Sequence, residues 1–147
     1  MKFGYTIIYV KDIKQTVDFY QRAFGLSLKF YAESGKYAEL STGETILSFV
    51  AEDFIQEHDV EFVTNRADNV SPGFQISFIT ENVAEAYEKA IKEGASKISP
   101  PKQVPWGQIV FQVKDNNGIV VEIGSRGLLA PYTSLHRASF GITIIPL

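Results

Sequence analysis

The sequence predicts an α+β fold in which one β-α-β-β-β unit occurs twice. Two segments begin with an alternating strand, at Tyr5 and at Gln75, and each strand leads into a capped amphipathic helix. Aligning Tyr5 with Gln75 also aligns the helix caps Asp12 and Asn82, the parity of the strands and the apolar stripes of the helices. Because these features agree at a single offset, we interpret the chain as a tandem repeat of this unit.

The first unit, the module at residues 1–52, contains one helix between Asp12 and Gly25. Asp12 has Gln15 three residues on, which is typical of a helix start, and glycine is typical of a helix end. The predicted strands of this module are 5–10, 28–32, 37–40 and 45–50, with a Thr42-Gly43 turn before the last of them.

The second module, residues 74–125, repeats this order. Its helix begins at Asn82, where Glu85 completes an N-x-x-E box, and it ends at Gly94. We expect the strand at 97–98 to stop at Pro100-Pro101, because proline cannot donate a hydrogen bond to a sheet. The other predicted strands are 75–80 and a closing hairpin of 108–113 and 118–123, whose turn Asp115-Asn116-Asn117-Gly118 tolerates positive φ.

Two stretches lie outside the repeat. Residues 53–73 hold a charged segment and a short apolar run, and we interpret them as a connector that adds one strand or folds over a cleft as a lid. Residues 126–147 end in ITIIPL. Three interpretations of this tail stay open, namely an added strand, an arm between subunits, or sequence foreign to the domain.

Composition limits the classes of function. The length of 147 residues and the 45% hydrophobic content predict a single domain, residues 1–125, with a real core. A net charge of -3 gives no field that would attract nucleic acid or an anionic membrane. The absence of cysteine excludes disulfides, thiolate metal sites and a cysteine nucleophile. No apolar run approaches a membrane span, and the N-terminus lacks a signal-peptide pattern, so we expect a cytoplasmic protein.

Glu122 is the one acid in the otherwise apolar last strand. Alternation places Glu122 on one face with Val120 and Gly124, and its direct apolar neighbours on the other face. A carboxylate at this place either meets water at an edge or serves a pocket, and the residues leave both open. We expect Ile8, Val10, Val17, Phe78 and Val121 in the core.

Two motifs carry a resemblance to a known family. The opening x-T-x-x-x-V-x-D, followed by Phe19-Tyr20, stands at residues 5–12, and a closing D-x-x-G-x-x-x-E stands at 115–122. With the repeat, they resemble the vicinal oxygen chelate superfamily of glyoxalase I, extradiol dioxygenases, fosfomycin-resistance transferases and bleomycin-resistance proteins. Pro105-Trp106-Gly107, ahead of Phe111, looks most like the bleomycin-resistance branch. The resemblance implies curved sheets around a concave cleft, with the helices on the convex faces.

In metal-using members of this superfamily, four inward positions hold a divalent ion. The resemblance carries these positions onto Tyr5, Ser48, Gln75 and Glu122. Glu122 is a strong ligand and Gln75 an acceptable one, whereas tyrosine and serine are poor ligands. We therefore expect no metal cofactor, with one divalent ion held by Gln75, Glu122 and a borrowed ligand as the alternative. His58 and His136 lie outside these positions and are assigned no role.

Three hypotheses about function follow. The first is a metal-free homodimer that binds a flat or cationic small molecule, such as an antibiotic, and has no catalytic residues. The second is a metal-dependent lyase or isomerase of the glyoxalase type, and the third is a domain that kept the fold and lost its ligand. In the first hypothesis, the ligand-binding residues are Tyr5, Tyr9, Glu39, Ser48, Gln75, Trp106 and Glu122.

Overall fold

Two four-stranded sheets and three helices make up the fold. The structure is a computed structural model in which residues 1–127 are described, so the predicted tail lies almost entirely outside the described residues. The elements are β1 (Tyr5–Val10), α1 (Ile13–Phe24), β2 (Ser27–Tyr31), β3 (Tyr37–Ser41), β4 (Ile46–Ala51), α2 (Glu52–Gln56), β5 (Gln75–Ile79), α3 (Val83–Lys92), β6 (Ser96–Gln103), β7 (Ile109–Lys114) and β8 (Val120–Gly124).

The two sheets have the same topology. The strand order is β1-β4-β3-β2 in the first sheet and β5-β8-β7-β6 in the second. In each sheet the first and last strands of the unit pair in parallel, and the remaining pairs are antiparallel. The duplicated β-α-β-β-β unit and the α+β class are thereby confirmed.

Both long helices begin at the predicted caps. The side chain of Asp12 accepts a hydrogen bond from the backbone N–H of Gln15 at 2.8 Å, and Asn82 accepts from that of Glu85 at 3.2 Å. These bonds satisfy backbone donors that have no partner within a helix. Gly25 ends α1 with a φ of 68°, a left-handed conformation that glycine adopts without steric cost.

The structure differs from the sequence prediction at two elements. Residues 52–56 form the short helix α2, where a connector with a possible strand was expected, and no strand occurs between β4 and β5 in the described chain. Strand β6 continues through Pro100-Pro101 instead of stopping there. It can do so because β6 is an edge strand whose pairing with β7 shifts register around Ser99, so the missing N–H groups are not required.

The core lies between each sheet and its helix. Ile8, Val10, Val17 and Val121 are buried as expected, and Phe78 is partly buried against the same cluster. No helix in the described part of the chain is both long enough and apolar enough to span a membrane.

Helix α1 also joins the two sheets by packing on the turn between β7 and β8. The hydroxyl of Tyr20 donates to Asp115 at 2.7 Å, and the side-chain amide of Asn117 donates to Thr16 at 3.0 Å. The second oxygen of Asp115 accepts the backbone N–H groups of Asn117 and Ile119, both at 2.8 Å. The predicted turn therefore fixes the second sheet to the first helix.

Candidate functional site

The register shows which side chains share the sheet face that points away from the helices, here called the open face. In the second sheet, Gln75 pairs with Val120 and Ser77 pairs with Glu122. Because paired residues in a sheet point to the same side, Gln75 and Glu122 lie on one face, as the repeat alignment requires.

The first sheet presents the equivalent positions on its own open face. Ser48 pairs with Ile7 in β1 and with Glu39 in β3. Since Tyr5 lies two residues before Ile7, it shares this face with Ser48 and Glu39. Tyr9 also lies on this face, but its ring packs edge-on against Phe62 of the connector, with the ring centroids 5.0 Å apart.

A hydrogen-bonded cluster occupies the open face of the second sheet. The amide nitrogen of Gln112 donates to the carbonyl oxygen of Gln75 at 3.1 Å and to the carboxylate of Glu122 at 3.4 Å. The hydroxyl of Ser77 donates to the other oxygen of Glu122 at 3.3 Å. The carboxylate of Glu122 is thus held by neutral donors at the long end of the hydrogen-bond range.

A second cluster occupies the open face of the first sheet. The hydroxyl of Tyr37 donates to Glu39 at 2.8 Å and lies 3.1 Å from the hydroxyl of Ser48, which is fully buried. Burial raises the pKa of Tyr37, and the Glu39 carboxylate also raises it. The ammonium of Lys29 lies 3.6 Å from the other oxygen of Glu39. Glu39 therefore has a cationic partner, which distinguishes it from Glu122.

The two clusters hold equivalent places in the repeat. Glu39 pairs with Ser48 as Gln112 pairs with Glu122, so each sheet has one carboxylate at the centre of its open face. Tyr37 and Gln112 were not predicted as site residues. Strand alternation was the signal that could have found Tyr37, because it lies two residues before Glu39 on the same face.

The open face of the first sheet also carries exposed apolar side chains. Tyr5 is 50% exposed and Ile7 is 49% exposed on β1. Phe30 on β2 pairs with Glu39 and is 51% exposed. Large apolar side chains that share a face and remain half-exposed indicate a surface that binds a ligand or a partner.

Trp106, the remaining predicted site residue, lies in the turn between β6 and β7. Its indole N–H donates to the side chain of Gln108 at 3.3 Å, and the ring is exposed. Gln112 lies in the middle of β7, and its partner Glu122 lies in β8. The polar contact of Trp106 therefore belongs to the β6–β7 turn and to neither cluster.

The four positions do not suit a divalent ion as they stand. The carbonyl oxygen of Gln75 already accepts a hydrogen bond from Gln112, and the hydroxyl of Ser48 is buried against Tyr37. Tyr5 offers a phenol oxygen, which is a poor ligand for such an ion. Only Glu122 presents an oxygen that a hard divalent ion prefers, which is too few for a metal site. Residues 1–127 contain no cluster of three or more His, Asp or Glu side chains that could hold a metal ion.

The repeat, the sheet order and the paired open faces define a protein of the glyoxalase fold. The chain belongs to the Glyoxalase/Bleomycin resistance protein/Dioxygenase superfamily, whose family model matches residues 2–123. It is 23% identical over 124 residues to the uncharacterized protein YraH of Bacillus subtilis (strain 168), covering 84% of this chain and 97% of YraH.

Solved structures have the same fold. A glyoxalase-related enzyme from Fulvimarina pelagi superposes with a TM-score of 0.73 at 19% identity, covering 86% of this chain and 88% of that protein. A glyoxalase/bleomycin resistance protein/dioxygenase from Nocardioides superposes with a TM-score of 0.69 at 17% identity, covering 90% and 89%. At this level of identity, the likeness establishes the fold alone.

Proposed function

We propose that this chain is a metal-free small-molecule binding protein of the glyoxalase and bleomycin-resistance type. Its ligand is a flat organic cation, such as an antibiotic, and it binds on the open faces of the sheets. The observation that carries the proposal is the carboxylate of Glu122, which lies at the centre of an open face and is held by neutral donors.

The charge of Glu122 supports a cationic ligand. Among residues 1–127, no lysine or arginine nitrogen lies within ion-pair distance of Glu122, whereas Lys29 partners Glu39. The bonds from Ser77 and Gln112 are long, so an ammonium or amidinium donor has a stronger, charge-assisted bond to offer. Within residues 1–127 the side-chain amide nitrogen of Gln75 donates no hydrogen bond, so its N–H groups add donors for a polar ligand group.

The exposed rings of the first sheet support a flat ligand. Tyr5 and Phe30 both present aromatic surface on an open face. Aromatic faces attract planar rings through stacking and cations through the ring quadrupole. A planar aromatic cation therefore combines the two chemistries that the open faces offer.

The donor set supports metal-free binding over the alternative of a metal-dependent lyase or isomerase. In that alternative, Gln75 and Glu122 hold the ion together with a borrowed ligand, and the ion shares the Gln75 oxygen with the hydrogen bond from Gln112. Metal analysis of protein purified without chelator distinguishes the two. One tightly bound divalent ion per chain would overturn the metal-free proposal.

A homodimer forms part of the proposal. β1 and β5 are edge strands, so one row of backbone groups on each is not paired within its sheet. Ile7, on β1, is also half-exposed on the open face. A second copy of the chain would cover this edge and this face.

The replacement Glu122→Gln tests the proposal, because it keeps the shape of the side chain and removes the charge. Ethidium is a suitable probe, since it is a planar aromatic cation. We expect its binding to weaken by about 1–3 kcal/mol, the scale of one charge-assisted hydrogen bond. The thermal midpoint should stay unchanged or rise, because an unpaired carboxylate destabilises the ligand-free fold.

The control is Glu88→Gln, which removes an exposed carboxylate from α3 and should leave ethidium binding unchanged. A lower thermal midpoint with unchanged affinity in Glu122→Gln would assign Glu122 to structure alone. Failure of the wild-type protein to bind ethidium or any other planar aromatic cation would also contradict the proposal.

A further inference from the structure

A large cavity lies between the two sheets. Gln75 and Ser77 of the open-face cluster line part of it, whereas Glu39 and Glu122 do not. Its volume is about 910 Å³, which is within the range of small-molecule sites. Part of its wall consists of helix-facing apolar side chains, and its rim is polar. The apolar side chains used below are Phe24, Leu47 and Phe78, and the rim includes Thr42, Glu85 and Lys89.

The cavity arises because the repeat is asymmetric at this place. On one side, α1 packs on the β7–β8 turn, and Tyr20 and Thr16 fill the contact with hydrogen bonds to that turn. On the other side, α3 and the β3–β4 turn both line the cavity. At the offset that aligns Asp12 with Asn82, the position of Thr16 is held by Ala86, which lines the cavity, and that of Tyr20 by Ala90, which is buried in the core and does not line it. The small side chain of Ala86 thus leaves open part of the space that Thr16 and its partner fill in the other half.

The charge available at the rim is positive. Among the described residues, no carboxylate lies within ion-pair distance of Lys89 Nζ, which is 3.5 Å from where a Cβ on Gly25 would stand. The other charged group of the rim, Glu85, accepts a hydrogen bond from the side chain of Asn82 at 2.9 Å. It also lies in the first turn of α3, where the helix dipole stabilises a negative charge.

We propose that this cavity is a second binding site, which takes an amphipathic carboxylic acid. The apolar part of the ligand packs against Phe24, Leu47 and Phe78, and its carboxylate pairs with Lys89. The Thr42 hydroxyl at the same rim already donates to the backbone carbonyl of Thr45, so Lys89 is the donor for the ligand carboxylate. This site adjoins the open face, because Gln75 and Ser77 also line it, but it goes beyond the proposed function, since its ligand is an acid that pairs with Lys89 and not a cation that pairs with Glu122.

Calorimetry with decanoate and decanol on the full chain tests whether the charge of Lys89 contributes to binding. We expect Lys89→Met to weaken decanoate binding about threefold to fivefold, a modest loss because Lys89 is exposed. Methionine keeps the aliphatic stem, so decanol binding should not change. The matched control is Lys92→Met, one turn from Lys89 on the same helix and not part of the cavity wall, which should bind decanoate as the wild type does. Equal decanoate affinity in Lys89→Met and wild type would overturn the proposal.

A replacement that fills the cavity tests whether decanoate and decanol bind inside it. Ala86→Phe places a ring in the cavity and should abolish binding of both decanoate and decanol. If that variant does not fold, Thr42→Tyr narrows the same cavity from the exposed turn and should have the same effect. Lys89→Met should leave ethidium binding unchanged, so failure of this proposal is distinguishable from failure of the cation site. Decanoate binding that survives cavity filling would place the probe elsewhere and overturn the proposal.

Discussion

At the scale of single residues, Tyr20 and Asp115 form the most enclosed polar contact between the two halves. Both side chains are buried, and the hydroxyl donates to the carboxylate at 2.7 Å. Burial raises the pKa of Asp115, although hydrogen bonds from Tyr20 and from the backbone act in the opposite direction. A carboxyl whose pKa is raised by folding favours the folded state most at low pH, and this contribution is lost as the pH rises through its folded pKa. The Tyr20 bond therefore matters most when Asp115 is ionised.

We expect Tyr20→Phe to lower the free energy of unfolding by about 1–3 kcal/mol at pH 8, where a buried carboxylate loses a donor. The loss should be smaller near pH 4, because removal of the bond raises the pKa of Asp115 further and protonation of the carboxyl at low pH removes the need for a donor. Urea denaturation at both pH values measures this loss of unfolding free energy. Tyr87→Phe is the control, since its ring packs on Phe111. If the free energy of unfolding falls equally at both pH values, the Tyr20 bond does not depend on the ionisation of Asp115, and the prediction is wrong.

The sequence predicts single residues well where the signal is local. Asp12, Asn82 and the β7–β8 turn were identified because caps and turns are specified by a few adjacent residues. The shared face of Gln75 and Glu122, which lie on different strands, followed from the family resemblance and the repeat alignment. Gln112 could not be assigned, because its role depends on register with two other strands, and register is a long-range property.

At the scale of elements, the connector is fixed by ordinary polar contacts. Arg66 makes two hydrogen bonds to the buried carboxylate of Glu52 on α2, at 2.6 and 2.8 Å, and Asn65 donates to the backbone of Tyr9 at 3.0 Å. A Cβ on Gly118 would collide with the Arg66 carbonyl, so the chain passes directly over this glycine, whose φ is 84°. The lid interpretation of this connector stays a prediction.

We expect Arg66→Met to lower the free energy of unfolding by about 1–3 kcal/mol, because a buried carboxylate then lacks its cation. The double variant Glu52→Gln with Arg66→Met should recover part of the loss. Lys14→Met is the matched control, since its pair with Asp18 is exposed and should matter by less than about 1 kcal/mol. Equal losses of stability in Arg66→Met and Lys14→Met would mean that the Arg66–Glu52 pair contributes no more than an exposed surface pair.

Element prediction failed where tertiary context decides. Helix α2 has five residues and no side-chain cap, so no periodic pattern could reveal it. Proline in β6 was interpreted as a stop, although the pairing of an edge strand leaves room for it. The asymmetric cavity beside α3 was likewise not foreseen, because it depends on how the two halves pack.

At the scale of the whole molecule, the exposed open face and edge strands predict self-association. Sedimentation at about 10–100 µM should show a species of two chains, as expected when a sheet edge and an apolar face are covered together. Ile7→Glu should shift the protein towards a monomer, because it charges both the open face and the β1 edge strand. Val70→Glu is the control in the exposed connector. A monomeric wild-type protein at these concentrations would refute the dimer.

The join between the two halves has a consequence for the order of folding. All strand pairs of each sheet form within one module. The contacts between the modules are more distant in sequence, since Tyr20 and Asp115 are 95 residues apart and Thr16 and Asn117 are 101 residues apart. Contacts of long sequence separation form late, because a large loop must close first. During synthesis, the first sheet can assemble while the second is still inside the ribosome, and docking of α1 on the turn completes the molecule. We therefore expect Tyr20→Phe to speed unfolding and to leave the refolding rate unchanged, which stopped-flow measurements would show.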